Sequence, residues 1–419
     1  AARRLLYYKS GRMNRGKRRV QDFCKYSAVW GQISQKLIWQ FFLGFDKIYG
    51  NRRLNKGPGK AAVLFCEKNT GVIRMFQVTI DDINKILKDF GFVEQDASFD
   101  ELQRYHYEKK DPASKEVRLI IKVKFDTHKP VVIRFKNEED VTLELIEEQS
   151  NFAALLRQNG VEVPKQYKTQ DHYARWYSIC GYDVIVTIEA FAEGELLRVN
   201  EATAFETGKL LARMHNISET LDLHIKNDVL FDPFSCNDLF DFGEFKANEG
   251  ILSQIDASLY TDIVKTYEAY MEKLAPLSLE PGYAVQGDIS NCNLYRTADG
   301  NLGVFDFNRA GDNRLYCDGI MQAVFEARLM DYPDNLGSDP EKVILPAFLK
   351  GYAQVRPFTH MQKALYPYLY AIIDAFWSQD IKWKEDSLVN VIQKGDVERI
   401  HQWLREIHRR IHQIQMWRD

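Results

Sequence analysis

The sequence predicts an α+β protein in which a small antiparallel sheet is followed by a larger, mainly helical region. Two β-branched runs, Val117 to Phe125 and Pro130 to Phe135, are separated by a short polar segment and are typical of antiparallel strands. From Met321 to Asp419 the pattern is that of amphipathic helices rich in Tyr, Phe and Trp. With 419 residues, 45% hydrophobic and 27% charged, the chain is long enough for two regions that each have a core.

The chain is predicted to divide into three regions. Residues 1–74 form a basic N-terminal extension with 17 Lys and Arg against three acidic residues, although the whole chain has a net charge of −3. Residues 75–190 are expected to form an N-terminal lobe around the sheet, and residues 191–419 a helical C-terminal lobe. A basic arm can bind nucleic acid or an anionic membrane surface. This one lacks the motif of a known nucleic-acid module, so no nucleic-acid partner is predicted.

The basic extension is equally consistent with a disordered tail or with a segment outside the functional protein. Met75 directly precedes a clean helix start, in which Thr79 is the N-cap and Gly91 follows the last turn. We therefore expect the functional protein to begin near Met75.

The other elements follow in order along the chain. A first strand is expected within Leu102 to Lys109, ahead of the two β-branched strands. Apolar residues at near-helical spacing predict a helix over 140–159, and Tyr182 to Ile188 has the composition of a buried strand. Asn200 is a good N-cap for a helix over 201–216.

One short stretch brings together two acids and an amide. Asp288 follows a strand that ends in a Gly-Asp turn, and Asn293 begins the next short strand. The Asp-Gly pair at 299–300 is a strong hairpin signal, and the returning strand, 302–305, delivers Asp306 beside Asn293. Mg²⁺ prefers oxygen ligands and keeps part of its coordination shell for substrate phosphates. The stretch therefore predicts a centre for handling a nucleotide-bound magnesium ion.

These motifs resemble those of a known superfamily. Gly287-Asp288, four further residues and Asn293, followed by Asp306 after the hairpin, look like the paired motifs of the aminoglycoside phosphotransferase and choline kinase-like superfamily. The resemblance implies a protein-kinase-like two-lobed fold and ATP-dependent phosphorylation of a small-molecule hydroxyl. It implies that Asp288 is the catalytic residue and that Asn293 and Asp306 hold Mg²⁺.

Two further residues near this centre are implied to be structural. Gln286 stands where the superfamily usually has His, and its amide is expected to brace the catalytic loop as the imidazole does. Asp318 falls where the superfamily has an Asp that supports the same loop.

The resemblance also assigns residues that contact the nucleotide. Arg134 is expected to bind the α- and β-phosphates, with Lys136 as the alternative, and Glu148 is expected to pair with that cation. Glu144 and Glu147 are the alternatives to Glu148.

The phosphate-covering loop and the hinge are assigned in the same way. The loop corresponds to residues 110–116 and contains no glycine, so Ser114 and Lys115 are the candidates there. Backbone groups from Glu189 to Phe191 are expected to contact the adenine.

Composition favours a cytoplasmic enzyme. The six cysteines form no CxxC pair, which favours a reducing compartment and argues against a disulfide framework or a zinc site. No membrane span is predicted, since the apolar run Leu37 to Phe45 is too short.

The acceptor is left open among amino alcohols, homoserine-like molecules, sugars and aminoglycosides. An acidic cleft for a cationic amine is one hypothesis, built on Glu326, Asp331, Asp334 and Asp374. The alternative to an enzyme is a catalytically inert, kinase-shaped binding or regulatory protein.

Overall fold

The computed structural model describes residues 75–93, 98–105, 115–194, 196, 198–230, 232–234, 239–289 and 291–417. The predicted basic extension (1–74) and Ser114 lie outside the described residues. In the described part, a five-stranded antiparallel sheet is followed by a mainly helical region. The predicted α+β class is therefore confirmed.

The N-terminal sheet has the strand order β1-β2-β3-β5-β4. Its apolar residues are in register, with Ile121 opposite Ile133 and Ile133 opposite Ile188. β5 is buried on both faces from Val184 to Glu189, as its run of apolar residues requires. The strands are β1 (Ser98–Arg104), β2 (Val117–Lys124), β3 (Val131–Asn137), β4 (Ala174–Ile179) and β5 (Tyr182–Ala190).

A helix packs on each face of this sheet. α1 (Ile80–Asp89) is N-capped by Thr79 as predicted, and its buried Ile83 joins the core formed with β2, β3 and β5. α2 (Leu143–Gln158) lies on the other face, where Ile146 packs against β4 and β5. The sheet is thus a rigid support for polar residues at its exposed end.

Two predicted boundaries differ from the structure, and one strand was not predicted. The first strand is Ser98–Arg104, which overlaps the predicted range 102–109 in its last three residues, and residues 106–109 lie outside the described residues. A register shift between Glu101 and Gln103 interrupts the pairing of this strand with β2. α2 begins after its N-cap Thr142 and not at residue 140. β4 was not predicted, because its mixed apolar and exposed residues are typical of an edge strand with a weak period.

The C-terminal region contains eight helices within the described residues. These are α3 (Glu201–Thr220), α4 (Phe242–Ala247), α5 (Glu249–Leu274), α6 (Leu315–Leu329), α7 (Glu341–Val355), α8 (His360–Ala375), α9 (Leu388–Lys394) and α10 (Val397–His412). Asn200 caps α3, as predicted. No helix among the described residues is long and apolar enough to cross a membrane.

α3 and α7 pack backbone against backbone. A Cβ on Gly208 would lie 2.1 Å from the carbonyl oxygen of Phe348, and a Cβ on Gly351 would lie 1.9 Å from that of Phe205. Any side chain at either position would force the helices apart, so both positions require glycine. This tight packing fixes α3 beside α7.

Two short antiparallel pairs complete the described structure. β6 (Gly282–Val285) pairs with β9 (Gly311–Arg314), and β7 (Leu294–Arg296) pairs with β8 (Leu302–Val304) in the predicted hairpin. The predicted acids lie at the ends of these strands.

Candidate active site

The catalytic loop, defined as residues 286–293, leaves β6 through a turn that only glycine can make easily. Gly287 has a φ of +79°, and a Cβ there would lie 2.5 Å from the carbonyl oxygen of Arg309. Asp288 follows at once and is 7% exposed. The turn therefore sets a carboxylate into the protein interior directly behind a buried strand.

Asn293 is fixed to this carboxylate. Its Nδ2 donates to the backbone carbonyl of Asp288 at 2.8 Å and to Asp288 Oδ2 at 3.2 Å. With the nitrogen used in this way, Asn293 Oδ1 is the atom left for a cation. Asp288 Oδ1 is also buried and has no hydrogen-bond partner. A buried carboxylate oxygen in this state is ready to accept a proton or hydrogen bond from a ligand.

The hairpin places Asp306 beside Asn293, as predicted. The backbone N–H of Phe305 donates to the carbonyl of Asn293 at 2.9 Å, so the residue that follows β8 lies next to the loop. Asp306 has a φ of +61°, which is uncommon for a residue with a side chain. Its Oδ1 accepts from the N–H of Asn308 at 3.3 Å. Unusual backbone geometry that is held by local hydrogen bonds is typical of functional sites.

Gln286 connects the loop to the Asp306 turn. Its Oε1 accepts from the N–H of Asp288 at 2.9 Å, and its Nε2 donates to the backbone carbonyl of Asp306 at 2.8 Å. One amide thus both accepts and donates between the two acids. The structure places Gln286 where it braces the loop.

The two acids have opposite pKa shifts. Burial, reinforced by the negative charge of Asp306, raises the pKa of Asp288 to about 7. Burial also acts to raise the pKa of Asp306, but the positive charges of Arg134, Lys136 and Arg118 outweigh it and lower that pKa. At neutral pH Asp306 is a carboxylate, whereas Asp288 is divided between its two protonation states. Paired acids whose environments separate their pKa values are typical of a site with one proton acceptor and one fixed anion.

Asp318 supports the catalytic loop through an intermediate residue. Gln322 accepts from the N–H of Ile289 at 3.0 Å, and its Nε2 donates to Asp318 Oδ1 at 3.3 Å. Asp318 Oδ2 hydrogen-bonds with His215 Nε2 at 3.0 Å, and His215 Nδ1 lies 2.8 Å from the hydroxyl of Tyr352. This buried network connects α3, α6 and α7 to the loop. Gln322 was missed, although its spacing of four residues from Asp318 on α6 places both on one helix face.

Arg134 projects from β3 toward the same site, but its partner differs from the prediction. Its guanidinium donates to Glu189 Oε1 at 2.8 and 3.0 Å, and Nη1 lies 3.7 Å from Asp306 Oδ2. Glu148 is exposed on α2. The predicted Arg134–Glu148 pair is therefore wrong, because Glu148 lies on the solvent side of its helix while β5 supplies a nearer acid.

Glu147, an alternative to Glu148, does not pair with Arg134 either. Glu147 accepts from the backbone N–H groups of Tyr173 and Ala174 at the start of β4. The α2 residue that faces the site is Gln149, whose Nε2 donates to the carbonyls of Asn308 and Ala310. Sequence reasoning missed Gln149 because neighbouring helix positions point about 100° apart.

Lys136 is buried next to the Asp306 turn and hydrogen-bonds with Asn308. Burial and the charge of Arg118 lower its pKa to about 7. A cavity of about 40 Å³ opens here and is lined by Arg134, Lys136, Gln149, Glu189 and Asp306 among others. It is large enough for ordered water, and Arg134 Nη1 beside it is buried without a hydrogen-bond partner.

The predicted hinge, residues 189–191, already uses backbone N–H groups in hydrogen bonds within the protein. The N–H groups of Ala190 and Phe191 donate to the carbonyls of Lys165 and Pro130 at 2.8 and 2.9 Å. The Lys122 ammonium lies 3.4 Å from the centre of the Phe191 ring. In this structure these two N–H groups are not available to a base, and adenine contact in this segment stays a prediction.

The structure counts against part of the hypothesised acidic cleft. Glu326 is fully buried on α6, and burial raises its pKa well above the ordinary value. Asp374 lies 2.7 Å from Arg328 and is neutralised by it. Two of the four carboxylates are therefore unavailable to a cationic amine.

A small sheet lobe, a helical lobe and an Asp-Asn-Asp centre at the end of a hairpin define a kinase-like phosphotransferase architecture. The model of the APH phosphotransferase enzyme family matches residues 120–358, which is more than half of the chain. The chain belongs to this family. The predicted superfamily and the predicted kinase-like two-lobed fold are thereby confirmed.

Solved structures with this fold are distant in sequence. A microcompartment-associated aminopropanol kinase is 15% identical, with a TM-score of 0.49 over 79% of this chain and 97% of the other. An amicoumacin kinase in complex with AMP-PNP and Ca²⁺ is 16% identical, with a TM-score of 0.45 over 72% and 89%. A spectinomycin phosphotransferase in complex with ADP and spectinomycin is 13% identical, with a TM-score of 0.42 over 80% and 98%. No curated protein sequence matches this chain.

Proposed function

We propose that this protein transfers the γ-phosphoryl group of ATP to a hydroxyl of a small molecule. The observation that carries the proposal is the arrangement of Asp288, Asn293 and Asp306, in which one buried acid has a pKa near neutrality and the other is held ionised. Family membership supports the phosphotransferase class.

Asp288 is the proposed catalytic residue. Its unpartnered Oδ1 accepts the hydrogen bond of the acceptor hydroxyl and then takes its proton as the oxygen attacks the γ-phosphorus. The bond from the γ-phosphorus to the bridging oxygen breaks, and ADP leaves. A pKa of about 7 suits this role, because the acid can bind and release a proton at working pH.

Asn293 and Asp306 are the proposed holders of Mg²⁺. Both present oxygen atoms, which a hard divalent cation prefers, and the free Asn293 Oδ1 and the ionised Asp306 fit that preference. The ion supplies positive charge that neutralises the phosphate oxygens. Asn293 and Asp306 position it through the hairpin that joins them.

Arg134 is the proposed cation for the nonreacting phosphates, with Lys136 as the alternative. Arg134 is held in place by Glu189 rather than by a helix residue, and it lies near Asp306. Burial lowers the pKa of Lys136 to about 7, so an anion that enters the site would favour the charged form of this lysine. The acceptor is expected to be an amino alcohol, a homoserine-like molecule, a sugar or an aminoglycoside.

A catalytically inert, kinase-shaped binding protein is the second candidate. One observation favours it: the N–H groups of Ala190 and Phe191 are already bonded within the protein. The Asp288 environment favours the enzyme, because binding alone does not require a buried acid with an unpartnered oxygen.

The test is ATP consumption across a panel of hydroxylated amines, sugars and aminoglycosides in the presence of Mg²⁺. Wild-type protein is expected to turn over at least one of them. Asp299→Asn is the matched control for Asp288→Asn, since Asp299 is an exposed acid at the tip of the neighbouring hairpin. ADP formation that is absent for the whole panel, together with no ATP-dependent thermal shift, would favour the inert reading.

A further inference from the structure

The two long helices α5 and α10 carry a cluster of metal-ligating side chains outside the catalytic loop. His408 and His412 lie four residues apart on the last turns of α10, and Asp262 lies on α5. His408 Nε2 and His412 Nε2 are 2.9 and 2.8 Å from the same atom, Asp262 Oδ2. The three potential ligand atoms all lie within 4.8 Å of one another.

The spacing of the two histidines gives this cluster its chemical character. Residues four apart share one helix face, so both imidazoles can reach a single point. Two His at this spacing on a helix are a recognised arrangement for zinc, with a third ligand supplied by another element. Here Asp262 supplies it from the neighbouring helix.

The observed distances are close to those of a tetrahedral site. Bonds of about 2.0–2.1 Å from zinc to nitrogen and oxygen place neighbouring ligand atoms about 3.3 Å apart. The distances of 2.9 and 2.8 Å are only a few tenths of an ångström shorter, so a small outward shift of the carboxylate admits the ion.

We propose that Asp262, His408 and His412 form a zinc-binding site that fastens the end of α10 to α5. Asp262 and His412 are exposed, so water can complete the tetrahedron. Imidazole nitrogens favour Zn²⁺ over Mg²⁺, which prefers oxygen ligands. The site uses no cysteine and therefore escapes the reasoning from cysteine pairs that predicted no zinc site. It shares no residue with the proposed catalytic centre.

A matched control is present on the same two helices. His401 of α10 hydrogen-bonds with Asp256 of α5 through Nε2 at 3.1 Å, one to two turns before the cluster. Like His408, His401 lies on α10, is partly buried and pairs with an aspartate of α5. Within the described residues, no second histidine lies beside that aspartate. His401→Ala therefore removes an equivalent hydrogen bond without touching the proposed site.

The experiment titrates the full chain with Zn²⁺ in buffer that contains excess Mg²⁺, by isothermal calorimetry and by thermal denaturation. Wild-type protein and His401→Ala are expected to bind one Zn²⁺ per chain and to gain about 2 °C or more in Tm at saturation. His408→Ala, His412→Ala and Asp262→Asn are each expected to weaken binding by about tenfold or more, as loss of one of three protein ligands requires.

A cobalt titration provides a readout that does not depend on folding stability. Co²⁺ is expected to give the intense visible absorption of a tetrahedral complex in wild type and His401→Ala, and to lose it in His412→Ala. The proposal is overturned if Zn²⁺ binds with equal affinity to wild type and the three variants. It is also overturned if no site is saturated at micromolar metal.

Discussion

The catalytic loop and the Arg134 cavity lie next to each other but are prepared for ligands in different ways. In the catalytic loop, Asp288 Oδ1 is buried without a partner. Around the cavity, Arg134 is bonded to Glu189, and Lys136 to Asn308. Each region keeps one buried polar atom without a hydrogen-bond partner, Asp288 Oδ1 in the loop and Arg134 Nη1 beside the cavity, but only Arg134 is also paired with acids of opposite charge. A phosphate must therefore compete with Glu189 for Arg134, although Nη1 can still donate, while Asp288 Oδ1 has no protein partner to displace.

This difference predicts which changes affect chemistry and which affect stability. Loss of the Asp288 charge is expected to leave the loop folded, because burial opposes the ionised form of this residue. The cavity does not tolerate such a loss, because removal of Glu189 leaves the buried Arg134 with only the more distant carboxylate of Asp306.

The largest effect is expected from Asp306→Ala. Loss of the ionised carboxylate removes a proposed metal ligand and is expected to lower turnover by at least about 100-fold. Steady-state kinetics with ATP and the best acceptor from the panel measure it. Asp299→Ala, at the exposed tip of the same hairpin, is expected to retain wild-type turnover, and equal losses in both variants would contradict the assignment.

Glu189→Gln is expected to destabilise the region around the Arg134 cavity. It leaves the buried Arg134 guanidinium with a neutral partner and is expected to cost about 3 kcal/mol of the free energy of unfolding. Chemical denaturation measures the loss. The double variant Arg134→Gln/Glu189→Gln is expected to recover part of it, since no charge is then left unpaired. A double variant as unstable as the sum of the singles would show that the pair is not coupled.

Asp288→Asn is expected to separate stability from activity. The folded protein holds the Asp288 proton up to about pH 7, whereas the unfolded chain releases it near the ordinary value of 3.8. Stability therefore falls as pH rises from about 4 to 7. Asn removes that loss, so the variant is expected to be more stable than wild type by about 1–3 kcal/mol at pH 8.

Denaturation curves at pH 5 and pH 8 check this prediction. The stability gain of Asp288→Asn should be smaller at the lower pH, because part of the loss has not yet developed there. An equal gain at both pH values would mean that the carboxylate is not titrating in this range.

The smallest effect is expected from Gln286→His. An imidazole can accept from the N–H of Asp288 and donate to the carbonyl of Asp306, as the Gln286 amide does. Turnover is expected to stay within about tenfold of wild type, whereas Gln286→Leu, which can do neither, is expected to lose more. Comparable turnover in the His and Leu variants would show that Gln286 does not brace the catalytic loop.

The same two regions explain how much the sequence could predict. Asp288, Asn293 and Asp306 flank one hairpin, so local turn chemistry was enough to bring them together. The partner of Arg134 lies 55 residues away on β5, and the register that joins β3 to β5 has no local signal. Glu148 was predicted to be the α2 residue that faces the site, but its neighbour Gln149 does so. The predicted phase of the helix was therefore wrong by one residue.

Other features were unpredictable for similar reasons. β4 has no clear period, and the position of β1 depends on an irregular pairing with β2. The cluster of Asp262 with His408 and His412 joins residues about 150 apart in the chain. Contacts of this kind come from tertiary packing, which a single sequence does not encode in its local pattern.

In the proposed reaction, Asp288 accepts the proton of an acceptor hydroxyl during phosphoryl transfer from ATP. Phosphorus NMR of a reaction with ATP, Mg²⁺ and the best acceptor tests it most directly, because it separates a new phosphate ester from free phosphate. Wild type is expected to form the ester at a rate that rises through about pH 7, and Asp288→Asn is expected to form at least about 100-fold less. Ester formation by Asp288→Asn at the wild-type rate, or free phosphate as the sole product of wild type, would contradict it.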